Sequence, residues 1–443
     1  MKFYKRITLL LVCLALTLSF FSCSELKKDA DSSDPQGSTE VPDGSDAPAE
    51  PGSSNDLMTG ISPTAVTART PDERFINSTA DFAFKIFKES SASSEENTLV
   101  SPLSVLLALA ITANGAEGET KAQMEALIGG EIPLQELNEY LKTFAESLYS
   151  GEGAKLSVAN SIWFRETGFI PNEDFLRTNA NYYNASAYKA PFDDSTVRDI
   201  NGFIEKHTDG MIRDVLDEIS PLAAVYLVNA LGFEAEWQEK YQPHQVREGI
   251  FTSAEGETEN VDFLHSAEHT YITCNDAHGF LKYYRGGDYA FAALLPPEGQ
   301  HVKDYVASLT AADLCEALEN HRYRDVIAAI PQFEQRCSME LSEGLKALGM
   351  TDLFHEDNAD LSALGSSTMG NLYVSRVLHE TAISVTPQGT KAGAATVVEV
   401  NDAAAAPPEE EPAKVILDRP FLYMLVETNT MTPLFMGVLG DIT

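Results

Sequence analysis

The residue patterns that most often carry catalysis are missing from this 443-residue sequence. No G-x-S-x-G turn presents a serine on a strand-to-helix elbow, and no G-x-x-x-x-G-K-[ST] loop offers amides and a lysine to phosphates. "GAEGETKAQ" has the glycines of a phosphate loop without its Lys-Ser/Thr spacing. His355-Glu356 and His379-Glu380 each begin an H-E-x-x-H zinc motif and lack the second histidine, so neither sets two imidazoles on one helix face. Cys274, Cys315 and Cys337 show no CxxC spacing and are odd in number, which argues against a zinc site or a disulfide framework and leaves them as small buried hydrophobes. Acidic pairs such as Asp193-Asp194 and Glu356-Asp357 read as solvated loop charges. No metal, cofactor or enzyme activity is expected; the weight falls on a binding or inhibitory protein.

A different kind of chemistry is offered by Gly389 to Ala413, "GTKAGAATVVEVNDAAAAPPEEEPA". It is too apolar for a solvated linker and ends in a Pro-Glu run that no core accepts. Alternate residues of a strand face opposite sides of a sheet. The parity Thr390, Ala392, Ala394, Thr396, Val398, Val400 carries no charge, whereas Lys391, Gly393, Ala395, Val397, Glu399, Asn401 hold both charges of that stretch. Proline, which would delete a ladder hydrogen bond, begins only at Pro407. The pattern is that of a segment able to enter a sheet with one clean face.

The elements that must position such a segment can be read around it. With 44% hydrophobic and 9% aromatic residues the chain can bury a large core. Its net charge of -36 makes nucleic acid or a polyanionic glycan an unsuitable partner. "MKFYKRITLLLVCLALTLSFFSC" has a basic start, an apolar run and then Cys23, and resembles a bacterial lipoprotein signal. Residues 1–22 are then the signal peptide, Cys23 carries the lipid, and the protein is expected at the cell envelope or surface, facing away from the cytoplasm; the alternative is an ordinary secretory signal or a single membrane anchor. Residues 23–66, rich in Asp, Ser, Pro, Gly and Glu, read as a disordered tether. Helical periodicity follows in "PDERFINSTADFAFKIFKES", after Ser101-Pro102, and in "QELNEYLKTFAESLYS". Strand-like runs come later, among them "KLSVANSIWF", "AVYLVNALGF", "YAFAALLPPE", "DVIAAIPQF" and "NLYVSRVLHETAISVT". Helices first and strands later predict an α+β domain with a large antiparallel or mixed sheet.

"NTLVSPLSVLLALAITANGAEGET" resembles the serpin family. "LSVANSIWF", "INGFIEKHTDGMI" (with Phe203 where the family has Trp), "LVNALGFEAEWQEKY", "LYVSRVLHETAISVTPQGT" and "DRPFLYMLVETNTMTPLFMGVL" are similar to further motifs of that family, in its order. The resemblance implies a serpin domain over residues 67–443, with about nine helices, three β-sheets and an exposed reactive-centre loop at about 389–413. It implies a suicide inhibitor of serine or cysteine proteases: cleavage of the loop lets it insert into the main sheet and trap the acyl-enzyme, releasing strain stored in the native state. The alternative within the family is a non-inhibitory member that binds a partner or serves as a protease substrate.

Carried over by motif, the cleaved bond falls at Ala403-Ala404, within a range that includes Asp402, Ala405 and Ala406. The small uncharged residues of the alanine run suit a protease with a shallow apolar primary pocket, elastase-like in specificity, whereas the rival bond Asp402-Ala403 implies an Asp-directed protease. Gly389 is the hinge, and Thr390 to Val400 the insertable half. Ser101, Ser104, Asn229 and His379 match a polar cluster beneath the sheet opening, and Trp237 an aromatic below the loop. Two departures stand out. Pro387-Gln388 replace the usual Glu-Glu before the hinge, and Gln332 replaces a lysine common in a Leu-Pro-Lys-Phe strand. Pro387 lacks an N–H, which puts the speed of insertion in question. Heparin-type activation is not expected, because "QELNEYLKTFAESLYS" is net acidic. A monomer is expected.

Overall fold

The structure is a computed structural model that describes residues 55–94, 97–148, 154–213, 215–220, 223, 225–368, 370–390 and 410–442. Helices and short strands open the chain: α1 (Glu73–Ser93), β1 (Thr98–Val100), α2 (Pro102–Ala113), α3 (Gly118–Ile128), α4 (Leu134–Leu148), β2 (Ala154–Arg165), β3 (Phe169–Pro171), α5 (Glu173–Tyr183), β4 (Ser186–Ala190) and α6 (Asp194–His207). Strands dominate the middle: β5 (Val225–Glu236), β6 (Val246–Thr252), β7 (Thr258–Cys274), β8 (Ala277–Tyr283) and β9 (Tyr289–Leu295), then α7 (Val302–Ser308) and α8 (Ala311–Glu319). The remainder is β10 (Arg322–Pro331), β11 (Phe333–Glu340), α9 (Ser342–Ala347), β12 (Gly365–Ser367), β13 (Leu378–Thr386), β14 (Gly389–Thr390), β15 (Ala413–Ile416), β16 (Phe421–Glu427) and β17 (Thr432–Leu439). Among the described residues this gives nine α-helices and three sheets, as the family resemblance implies.

Local chemistry sets the key elements. α1 starts where the Asp72 carboxylate accepts the Phe75 N–H at 3.1 Å, and it buries Phe75, Phe82, Ile86 and Phe87 at helical spacing. α2 has Ser101 as its N-cap and Pro102 in its first turn, where a missing N–H loses nothing. It is apolar on every side and is buried almost throughout, the signature of a helix inside the core rather than on its surface. β9, β16 and β17 are buried at every position. Continuous apolar runs of strand length are what a strand covered on both faces requires.

One sheet runs β11-β13-β14-β5-β2-β4; the largest runs β1-β17-β16-β9-β8-β7-β10-β15 with β6 beside β7. α2 packs beneath the first, and α6 contacts β2 and β5. Phe203 of α6 meets Trp163 edge-on, with ring centroids 6.3 Å apart, so the smaller ring still fills that contact. Cys274 is buried, Cys315 and Cys337 are half-buried, and all three are free thiols.

Two expectations need correction. The tether does not extend to residue 66. Within residues 55–66, Leu57 N–H donates to Ala187 O at 2.9 Å and Thr64 N–H to Asn181 Oδ1 at 2.7 Å. Leu57, Met58, Ile61 and Val66 pack on the core. The polar composition of the whole segment masked these four apolar residues, and β4, at the edge of its sheet, offers backbone groups for pairing. The strand expected across "NLYVSRVLHETAISVT" begins only at Leu378. Before it, Val374 N–H donates to Leu353 O and Val377 N–H to Ser342 Oγ, both at 3.0 Å, so those amides are satisfied outside any ladder.

Candidate functional site

The turn from Thr386 to Gly389 reverses the chain so that β14 lies between β13 and β5. Thr386 pairs with Gly389 and Val385 with Thr390 on one side; Gly389 pairs with Glu236 and Thr390 with Ala235 on the other. The backbones approach so closely at Gly389 that a Cβ there would lie 2.0 Å from Ala235 O. Only glycine fits. Thr390 is 1% exposed, and its hydroxyl is 2.5 Å from Tyr284 Oη, whose phenol burial holds in the protonated form. The parity of Thr390 is therefore the one that faces inward.

An aromatic shelf holds the turn. Trp237 Nε1–H donates to Thr386 O at 2.8 Å, while the backbone N–H groups of Trp237 and Tyr241 donate to Gln388 O and Pro387 O, each at 3.0 Å. Tyr284 stacks on Trp237, centroids 4.5 Å apart and 9° from parallel. Pro387 occupies a turn position where its carbonyl is used and no N–H is needed, so its presence removes no ladder bond. Gln332 bonds Asp262 instead, through its N–H at 2.8 Å and its side-chain amide at 3.5 Å.

Farther along β5 and β13, several residues past their pairing with β14, lies a cavity. Ser104, Ala108 and Thr112 of α2 form its floor; Tyr226 and Val228 of β5 and Leu378 of β13 line its sides. The polar cluster stands at the same opening. Ser101 N–H donates to His379 Nε2 at 2.9 Å, Ser101 Oγ–H donates to Leu434 O at 2.8 Å, and Ser101 Oγ accepts the Ser104 N–H at 3.3 Å. His379 accepts through Nε2, so the neutral ring keeps its proton on Nδ1. Burial pulls its pKa down from 6.5 to about 4. Thr381, which sequence reasoning missed, joins the cluster by donating to Leu99 O at 2.8 Å. Its signal was parity: Thr381 lies two residues from His379 on the same face of β13.

The far end of the loop is also anchored. Arg322 and Arg324 pair with Glu410 at 3.8 and 3.5 Å, Arg324 donates to Glu411 O at 3.0 Å, and β15 then runs parallel to β10. The structure thus brings together Gly389, Thr390 and Trp237 at one level and Ser101, Ser104 and His379 at another. Asn229 sits opposite Asn160 in the β2–β5 ladder; its side chain lies outside the described residues, as do Cys23, Ala392, Ala394, Thr396, Val398, Val400, Asp402, Ala403, Ala404, Ala405 and Ala406.

Comparison with known proteins agrees with this architecture. The family model described as "Serpin (serine protease inhibitor)" matches residues 77–442. An uncharacterized serpin-like protein of Thermococcus kodakarensis is 30% identical over 82% of this chain and 84% of its own length. Alpha-1-antiproteinase of Rattus norvegicus is 29% identical, covering 85% of this chain and 91% of that protein. Among solved structures, the native state of the thermophilic serpin Tengpin is similar with a TM-score of 0.83 at 44% identity, over 87% of this chain and 99% of that one. Its latent state has a TM-score of 0.76 at 41% identity, over 85% and 100%. A family match spanning nearly all of the described residues, on a fold that seats the start of the loop between two strands of the six-stranded sheet, makes this chain a member of the serpin family.

Proposed function

We propose that the chain is a suicide inhibitor of serine proteases with small apolar primary specificity, elastase-like, cleaved at Ala403-Ala404 within the range Asp402 to Ala406. The protease serine Oγ adds to the Ala403 carbonyl carbon, the C–N bond to Ala404 breaks, and the Ala404 nitrogen takes up the proton and leaves as a new amino terminus. Ala403 stays on the enzyme as an ester. The segment from Thr390 onward then extends β14 down the cavity between β13 and β5, carrying the acylated protease with it. The observation that carries this reading is the two-residue strand already seated between β13 and β5. Thr390 faces inward, and the residues that continue its parity, Ala392 through Val400, carry no charge to bury.

Incubation with pancreatic elastase tests the proposal. A complex that survives heating in detergent is expected, together with a released C-terminal fragment whose mass places the cut within Asp402 to Ala406. Clipping of the loop with no covalent complex would overturn the inhibitory reading in favour of a non-inhibitory serpin. We also propose that Cys23 is acylated and that the acidic stretch before residue 55 holds the domain away from the membrane at the bacterial cell envelope. Incorporation of labelled palmitate into the wild type and its loss in Cys23→Ser is the expected result.

A further inference from the structure

Beneath the aromatic shelf lies a charge that the fold does not need for packing. Lys282 of β8 has a side chain only 3% exposed, and its ammonium pairs with Glu268 of β7 at 2.7 Å. The same Nζ lies 4.5 Å from the centroid of the Tyr241 ring and 5.5 Å from that of Trp237. Removing an ammonium and a carboxylate from water is costly even when they meet. The pair therefore asks for another role, and cation–π attraction to two rings at once supplies it.

The rings that Lys282 touches belong to the residues that hold the turn. Trp237 holds the carbonyls of Thr386 and Gln388, and Tyr241 holds that of Pro387. Trp237 also stacks on Tyr284, which bonds Thr390. A continuous series of contacts thus runs from Glu268 through Lys282 to the turn carbonyls of residues 386–388 and to Thr390. Tyr241 is fixed from a second side, where its hydroxyl lies 3.3 Å from Ser266 Oγ.

We propose that Lys282, oriented by Glu268, is a positioning residue for the loop: it pins Trp237 and Tyr241, and through them the departure turn, so that the uncut loop does not advance past Thr390 into the sheet. The inference rests on the insertion mechanism proposed above. Its prediction concerns timing. A loosened shelf lets the intact loop enter the cavity without any protease.

Trp163 and Trp237 are the only tryptophans of the chain, so a Trp163→Phe background makes fluorescence a direct report on Trp237. In that background the wild type, Lys282→Met/Glu268→Leu, Lys282→Arg and Glu268→Gln are held below their melting temperature. Conversion is followed as gain of heat resistance and loss of a cleavable loop. Loss of the cation–π contacts is expected to make the double variant convert about tenfold faster with a shifted Trp237 emission, and Lys282→Arg to behave as wild type in both respects. A double variant with wild-type emission, or with a wild-type conversion rate, overturns the proposal. Should the double variant not fold, Glu268→Gln decides: faster conversion supports the role, and an unchanged rate removes it. Wild type cut in its loop is the control. If cutting brings no gain in heat resistance, insertion itself fails and this proposal with it; if cutting brings the gain while the variants convert normally, only the role of Lys282 is lost.

Discussion

His379 Nε2 accepts the backbone N–H of Ser101 at 2.9 Å, joining β13 to the start of α2 across 278 residues of sequence. The bond requires an unprotonated nitrogen, and burial keeps it so by lowering the pKa to about 4. An unfolded chain takes up that proton near pH 6.5. The folded state is therefore at its full stability above pH 6.5 and loses stability as the pH falls toward 4, by about 3 kcal/mol at the lower end. Chemical denaturation at a series of pH values should show this slope, and His379→Gln should flatten it.

Gly389 is the position where a side chain is least tolerable. Gly389→Ala places a methyl group against Ala235 O and should expel β14 from its place between β13 and β5. Loss of protection of the Thr390 amide in hydrogen exchange checks this, together with a destabilisation of about 1–3 kcal/mol from forced displacement.

Charge on the inward parity should separate inhibition from mere cleavage. Under the proposed insertion, Ala394→Glu obliges a carboxylate to enter the sheet without a partner, which is costly. It should turn the protein from inhibitor into substrate, whereas Ala395→Glu on the opposite parity should leave most of the covalent complex intact. Gel quantification of complex against clipped product distinguishes the two outcomes.

The docked segment at 55–66 should contribute to stability. Leu57→Ala combined with Met58→Ala and Ile61→Ala removes half-buried side chains that pack on the core and should lower the unfolding free energy by about 2 kcal/mol. A set of melts comparing the triple variant with the wild type measures it. An unchanged melting temperature would mean that the segment only rests on the surface.

Much of this protein is written in short windows of its sequence. The spacing of Phe75, Phe82 and Ile86, the cap at Ser101-Pro102, the apolar run of β9 and the clean parity beginning at Thr390 are all local patterns. Helix period, capping chemistry and strand alternation act within a few residues, so these elements and the α+β class are legible in the amino-acid order alone. The inward sense of that parity is not. It depends on β14 pairing with both β13 and β5, and register between strands far apart in sequence is set by the packed sheet.

The same reason explains the rest of what only the tertiary structure decided. Sequence motifs mark Ser101, His379 and Trp237 one at a time; folding puts the first two in hydrogen-bond contact and sets the third under the turn. Lys282 and Glu268 carry no local mark at all, because an exposed pair and a buried one are spelled alike. Residues 55–66 are hidden by the composition of their neighbours, since docking depends on the edge of β4 rather than on the segment alone. Local patterns determined which segments form and which face could be buried; long-range packing determined which charges, rings and backbone groups meet.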